Sequence, residues 1–190
     1  AIVMNNHLLV QQQQKMAKIE NDIEIARRIQ NNFLPNQLPV VPGWEIGGRF
    51  QPAREVAGDF YDLFMMMNER RLGILIADVC DKGVGAALFM SLTRSLIRAF
   101  AMMNHNVNWA ENLFDDSGTT LGRNKSSRVA IRANALKTAV VDTNEYITTH
   151  HLDLNMFATM FFGMLDPATG TLLYINGGHC PPMIISPTGE

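Results

Sequence analysis

The chain has 190 residues, which suits one domain, since single hydrophobic cores commonly serve about 100 to 200 residues. Hydrophobic residues make up 47% and charged residues 18%, which excludes a disordered segment and predicts a packed core. A net charge of -2 provides no field that would concentrate nucleic acid or an anionic membrane, so neither is an expected partner.

The sequence contains no secretion signal and no apolar run that approaches the length of a membrane span. Its two cysteines, Cys80 and Cys180, lie far apart in a chain too large to need disulfide bonds. We therefore expect a soluble, cytoplasmic protein. Residues Pro187–Glu190 are typical of a hairpin turn without its second strand, so we also expect the chain to be a fragment of a longer one.

A long helix is predicted at the N terminus. No Gly or Pro occurs between Leu9 and Phe33, and apolar residues recur there at three- and four-residue steps. Gln12 and Gln30 interrupt this stripe, so a helix lying on its own domain and a dimer seam are both open interpretations. We expect residues 1–35 to form a linker helix with a regulatory or dimer role, and residues 36–190 to form the domain.

Further elements follow in two groups. Strands are predicted around Trp44–Phe50, Asp59–Met67 and Arg71–Val79. Helices are predicted over Gly83–Ala101 and Val129–Ile147, on either side of a polar insertion loop at about 104–127. Strands return over Asn155–Leu165, Thr171–Asn176 and Met183–Ser186. Because strands and helices come in runs without alternation, the pattern predicts an α+β fold with antiparallel sheets.

Two aspartates are candidates for chemistry. Asp59 lies in EVAGDFYD and Asp78 in IADVCDKGVG, each at a strand end near glycine. A carboxylate at the end of an apolar strand is costly unless a cation or hydrogen bonds offset its desolvation. Carboxylates, a backbone carbonyl and water are ligands that Mg²⁺ and Mn²⁺ select. On spacing alone, the alternative that both residues cap turns is equally open.

The remaining candidates have weaker patterns. His150, His151 and His179 have no cysteine or carboxylate at zinc-like spacing, so we interpret them as structural. Arg54 could bind a phosphate group through its guanidinium fork, but an exposed side chain before a strand is an equal alternative.

Three separated runs carry a family resemblance. They are IENDIEIARRIQNNFLP continuing to PGWEIGGRFQPAREVAGDFYD, then IADVCDKGVGAALFM, then MFATMFFGMLDPATGTLLYINGGHCPP. In this order they resemble the metal-dependent PPM (type 2C) serine/threonine protein phosphatases, in the bacterial SpoIIE/RsbU-like branch. The resemblance implies a four-layer αββα sandwich of two antiparallel sheets flanked by helices. It also implies hydrolysis of phosphoserine or phosphothreonine by a water that two metal ions activate.

The resemblance assigns site residues by position. Asp59 and Asp78 are implied to act in catalysis as ligands of two Mg²⁺ or Mn²⁺ ions, joined by the backbone carbonyl of Val79. Asp81 stands where the family often has glycine, and is either an acid that supports the ligands or a solvated side chain. Two further metal aspartates of the family would fall after Glu190. We therefore expect a domain that is incomplete at its C terminus, inactive alone, and able to hold one weakly bound ion or none.

Partners are also implied by the resemblance. They are a phosphorylated signalling protein, such as an anti-sigma-factor antagonist of a stress response, an upstream sensor acting through the N-terminal helix, and a second copy in a homodimer. Two other functions stay open: a signalling domain that binds partners without turnover, and, with less support, a nucleotidyl cyclase that holds two metals on two aspartates.

Overall fold

The computed structural model describes residues 2–52, 55–67, 69–111 and 125–186, and its side chains over 9–52, 55–67, 69–103 and 133–186. The helices are α1 Ile2–Phe33, α2 Val84–Glu111 and α3 Lys125–His150, with a short 3₁₀ turn over Leu152–Leu154. The strands are β1 Phe60–Met66, β2 Arg71–Val79, β3 Ala158–Asp166 and β4 Thr171–Gly177. The predicted α+β class is confirmed.

The strands form one antiparallel sheet in the order β1-β2-β3-β4, so each strand pairs with its neighbour in sequence. Strand side chains alternate between two faces. One face carries the core side chains Phe64, Leu75 and Phe162 and is covered by α2 and α3. The opposite face carries Ile76 and Tyr174, which remain exposed among the described residues. The sheet therefore has one fully packed face and one open face.

Helix α2 is the central helix of the domain. Its residues Phe89, Met90 and Ile97 are buried against the sheet and α3. By length and composition alone, Val84–Met103 is apolar enough to cross a membrane, so the expectation that no segment would reach this length was wrong. One face of this helix is buried in the core, and 39% of the apolar window is buried in all, while Leu88, Met102 and Met103 remain exposed.

Helix α1 contacts the domain through its C-terminal part. Ile23, Ala26 and Phe33 are half-buried, whereas Leu9 and Met16 lie on the exposed N-terminal part. The predicted stripe is therefore covered only over its last turns.

Three predicted elements differ from the structure. Trp44–Phe50 is not a strand, because it lies over the open sheet face, where Trp44 Nε1 donates to the carbonyl of Pro167 at 3.0 Å. Met183–Ser186 is not a strand either, and the prolines at 181 and 182 before it have no N–H to donate. Helical residues reach into both ends of the predicted loop 104–127, and residues 112–124 lie outside the described part.

Candidate active site

Asp59 and Asp78 lie side by side at one end of the β1–β2 pair. Phe60 pairs with Ala77 in the antiparallel register, so the next residues outward are Asp59 and Asp78. Both side chains belong to the open face, because they alternate with the buried Phe60 and Ala77. Local sequence produces this arrangement: the aspartates occupy the two strand ends that the hairpin register brings together.

The two carboxyl groups form a hydrogen bond, and this bond is the largest cause that raises the pKa of Asp59 above its ordinary value of 3.8. Burial and the negative charge of Asp78 raise this pKa further, while the charges of His179 and Lys82 lower it. The neighbouring acid therefore favours the protonated form of Asp59. The site thus favours a proton or another cation between the two acids.

A cavity of about 750 Å³ opens above the pair. It lies between the open sheet face and the segment Trp44–Gln51. Its floor contains the apolar side chains of Leu63 and Ile74, and Asp59, Asp78 and His179 also line it. The cavity therefore combines an apolar wall with acidic groups and one imidazole, as binding sites for small polar groups commonly do.

The backbone before Asp59 is fixed by a glutamine of α1. Gln30 is only 3% exposed, and its amide bonds both backbone groups of Ala57: Nε2 donates to the carbonyl oxygen at 2.6 Å, and Oε1 accepts from the N–H at 3.0 Å. Gly58 follows, and a Cβ there would lie 2.9 Å from the carbonyl oxygen of Val79. Helix α1 thus holds the segment that carries Asp59 against the residue after Asp78.

His179 also lines the cavity. Its Nδ1 lies 3.0 Å from Thr159 Oγ1, and Thr159 is paired with Asp78 in the β2–β3 register. The Asn176 side chain accepts from the His179 N–H at 2.8 Å and donates to its carbonyl at 3.0 Å. His179 is therefore held at the cavity by Thr159 of β3, which contacts its ring, and by Asn176 of β4, which bonds its backbone.

The sequence analysis missed Gln30 and His179 as site residues. For Gln30, a signal was present: a polar residue inside an apolar helix stripe is buried only if its amide finds partners. For His179 the signal was the Asn-Gly-Gly-His run at the end of a strand, in which Gly178 has φ +77°. A search for zinc-like spacing could not identify this residue, because the side chain that contacts its ring, Thr159, lies 20 residues away on β3.

The other predicted residues lie elsewhere. Asp81 is exposed with φ +73°, and its carboxylate accepts from the Lys82 N–H at 2.8 Å within its own turn. His150 and His151 stack near Tyr146 at the end of α3 and do not line the cavity. Arg54 lies outside the described residues.

The donor set fits one hard divalent cation better than two. Two adjacent carboxylates with water are a common Mg²⁺ coordination, and the β1–β2 register places Asp59 and Asp78 side by side, where a cation would offset their repulsion. Within the described ranges, no group of three or more His, Cys, Asp or Glu side chains could hold a metal ion. Asp59 and Asp78 are thus the residues that would bind such an ion, with few further protein ligands.

The sequence model of the family "Stage II sporulation protein E (SpoIIE)" matches residues 68–190. The chain belongs to the SpoIIE family. This is the SpoIIE/RsbU-like group of PPM phosphatases that the motifs predicted, so the resemblance is confirmed.

Curated relatives agree with this membership. The chain is 42% identical over 197 residues to Protein IcfG of Synechocystis, a match that covers 99% of this chain and 29% of the relative. It is 27% identical over 164 residues to the phosphoserine phosphatase RsbU of Bacillus subtilis, covering 86% of this chain and 39% of RsbU. The chain thus spans well under half of these relatives. A solved structure of the RsbU and RsbW domains of a Mycobacterium tuberculosis protein matches 67% of the chain with 23% identity and a TM-score of 0.42.

Proposed function

We propose that the protein containing this chain removes phosphate from phosphoserine or phosphothreonine on a signalling protein, at the cavity that holds Asp59 and Asp78. The placement of Asp59 and Asp78 side by side in one cavity carries this proposal, because adjacent acids that can share a cation suit metal-dependent phosphoryl chemistry. Membership of a phosphatase family and similarity to a phosphoserine phosphatase support the reaction class.

The residues at this site have three separate proposed roles. Asp59 and Asp78 would hold divalent Mg²⁺ or Mn²⁺, with the Val79 carbonyl as a neighbouring ligand, and such ions supply charge neutralisation and an activated water. The segment Trp44–Gln51 restricts access of bulk water to the apolar part of the cavity. Gln30 fixes the backbone before Asp59, so that the carboxylate does not have to be ordered when the ion binds.

Residues 1–190 alone are proposed to turn over slowly or not at all. Two carboxylates and one carbonyl supply few of the about twelve oxygen ligands that two hard cations need. A two-metal reaction fails when one ion is missing, because both ions stabilise the same transition state. Additional acids supplied by a longer chain would complete the site.

Regulation is proposed to act through α1. The helix connects exposed apolar residues at its N-terminal part, such as Leu9 and Met16, with the buried Gln30 beside the site. An upstream sensor or a second copy of the chain that packs on the exposed part would move the whole helix and, with it, Ala57 and Asp59. We place this protein in the cytoplasm, with a phosphorylated partner such as an anti-sigma-factor antagonist as its substrate.

The test measures phosphate release with Mn²⁺ from a phosphoserine protein by the full-length protein, by its Asp59→Asn and Asp78→Asn variants, and by Asp153→Asn, which changes an exposed acid outside the cavity. We expect at least about 100-fold lower turnover for the first two and no change for the third. ATP and GTP are included as substrates. Formation of a cyclic nucleotide with release of pyrophosphate from either nucleotide would favour a cyclase, and no turnover with retained partner binding would favour a non-catalytic signalling domain.

A further inference from the structure

We propose that His179 contacts the substrate, donating a hydrogen bond from Nε2–H to a non-bridging oxygen of the phosphoryl group. This inference rests on the phosphatase function proposed above and adds a residue to its site. It assigns recognition of the anion to this imidazole, beside two acids whose own charge would repel a phosphate group.

The first observation is that His179 is held in place at three points. Asn176 bonds both backbone groups of His179, at 2.8 and 3.0 Å, and closes the turn after β4. Thr159 Oγ1 lies 3.0 Å from Nδ1 of the ring. A ring fixed by both its backbone and one nitrogen loses little further freedom when it binds a ligand.

The second observation concerns the free nitrogen. Within the part of the chain that the structure describes, no hydrogen bond is formed by Nε2 of His179, and the residue lines the cavity with Asp59 and Asp78. In the proposed contact the Thr159 hydroxyl donates to Nδ1, and Nε2–H is then the donor left for the anion.

The third observation is the position of the ring. Thr159, which holds the ring, is the register partner of Asp78, and His179 lines the same cavity as Asp59 and Asp78. A phosphoryl group beside the two aspartates would thus lie within reach of the imidazole. Lys82 is exposed and does not line the cavity. Arg49 does line it, and its guanidinium donates to Gln51 Oε1 at 3.0 Å. His179 is the cavity residue whose side chain is anchored beside Asp78, through Thr159.

The experiment compares two variants in the full-length protein. Asparagine at this position places its amide near Nδ1 and leaves nothing at Nε2, whereas glutamine places an amide N–H near Nε2. We expect His179→Asn to lower kcat/KM by about 10- to 100-fold and His179→Gln to retain more activity, since a hydrogen bond to a charged group is lost only in the first. His150→Asn, on the exposed end of α3, is the matched control and should behave as wild type.

Two readouts separate this role from a structural one. Inhibition by inorganic phosphate should weaken in His179→Asn by a factor similar to the loss of kcat/KM, while the unfolding midpoint stays that of wild type. The loss of kcat/KM in His179→Asn should be equal for a phosphoserine peptide and for p-nitrophenyl phosphate, because a contact to a non-bridging oxygen does not depend on the leaving group. A loss confined to phosphoserine would show proton transfer to the leaving oxygen and would overturn the proposal.

Thr159 provides a second set of variants in case His179→Asn does not fold. Thr159→Val should lower kcat/KM by about 3- to 10-fold and Thr159→Ser should restore it, because only serine keeps the hydroxyl. Wild-type activity in Thr159→Val together with unchanged phosphate inhibition would contradict the proposal. If the wild-type protein itself released no phosphate, the proposed function would fail. If wild type and His179→Asn were equally active, only this inference would fail.

Discussion

Asp62 is a fully buried charge on the packed face of the sheet, three residues after Asp59. Arg94 donates to its carboxylate at 3.0 Å, and Arg98 contacts both oxygens at 3.1 and 3.0 Å. The Arg98 guanidinium also lies 4.7 Å from the centroid of the Phe64 ring. This cluster joins β1 to α2, and its strength depends on complete pairing, because each unpaired charge would remain buried.

We therefore expect Asp62→Ala to lower the free energy of unfolding by about 3 to 5 kcal/mol, since it leaves two partly buried guanidinium groups without their carboxylate. The control is Arg27→Ala, which removes an exposed ion pair with Glu24 at 3.0 Å and should change stability by at most about 1 kcal/mol. Urea unfolding at neutral pH measures both. Equal effects of the two substitutions would contradict the stabilising role of the Asp62 ion pairs with Arg94 and Arg98.

The raised pKa of Asp59 predicts a pH-dependent stability in metal-free buffer. Its protonated form is favoured in the folded state, so the stabilisation is complete below pH 3.8 and is lost as the pH rises through the folded pKa. At pH 7 the two carboxylates repel each other. We expect Asp59→Asn to melt at a higher temperature than wild type at pH 7 and at the same temperature near pH 3.8.

Asp153→Asn, an exposed acid in the 3₁₀ turn, serves as the control for this measurement and should show no such pH-dependent difference. Adding Mn²⁺ should reverse the order of the melting temperatures, because only wild type keeps both acids for the ion. A lower melting temperature of Asp59→Asn at pH 7 without metal would show that the acids do not repel each other.

At the level of elements, α1 and the site are coupled through Gln30. Gln30→Ala leaves the N–H and carbonyl of Ala57 without their partner, which should lower the free energy of unfolding by about 1 to 3 kcal/mol. Because Ala57 precedes the Asp59 segment, we also expect Mn²⁺ affinity to fall by about 10- to 100-fold, as for other partners that orient a ligand. Gln14→Ala, on the exposed part of α1, is the control. Unchanged Mn²⁺ affinity in Gln30→Ala would separate α1 from the site.

Sequence patterns predicted the elements that local periodicity determines. Both ends of β2 were predicted as observed. The first residues of β1, β4 and α2 lie within one residue of the predicted ones. Patterns failed where tertiary contacts decide: Trp44–Phe50 has strand-like alternation but lines the cavity over the open sheet face, where Trp44 Nε1 donates to the carbonyl of Pro167. Gln30 looked like an interruption of an apolar stripe because its partner lies in a segment 27 residues away.

For the whole molecule, the open sheet face is the main feature that composition could not predict. A sheet covered by helices on one side leaves its other side for a ligand, a partner or further chain. Here the open face carries the cavity and the aspartate pair, whereas the packed face carries the hydrophobic core. This division explains why the exposed aspartates of the site and the enclosed Asp62 lie close in sequence yet on opposite faces.

The most direct test of the account is a calorimetric titration of Mn²⁺ into residues 1–190 near neutral pH, with wild type and Asp59→Asn compared. The account predicts at most one weakly bound ion in wild type and none in Asp59→Asn, because two carboxylates and one carbonyl are too few ligands for a pair of ions. Two tightly bound ions, or binding that Asp59→Asn leaves unchanged, would show that the metal site lies elsewhere.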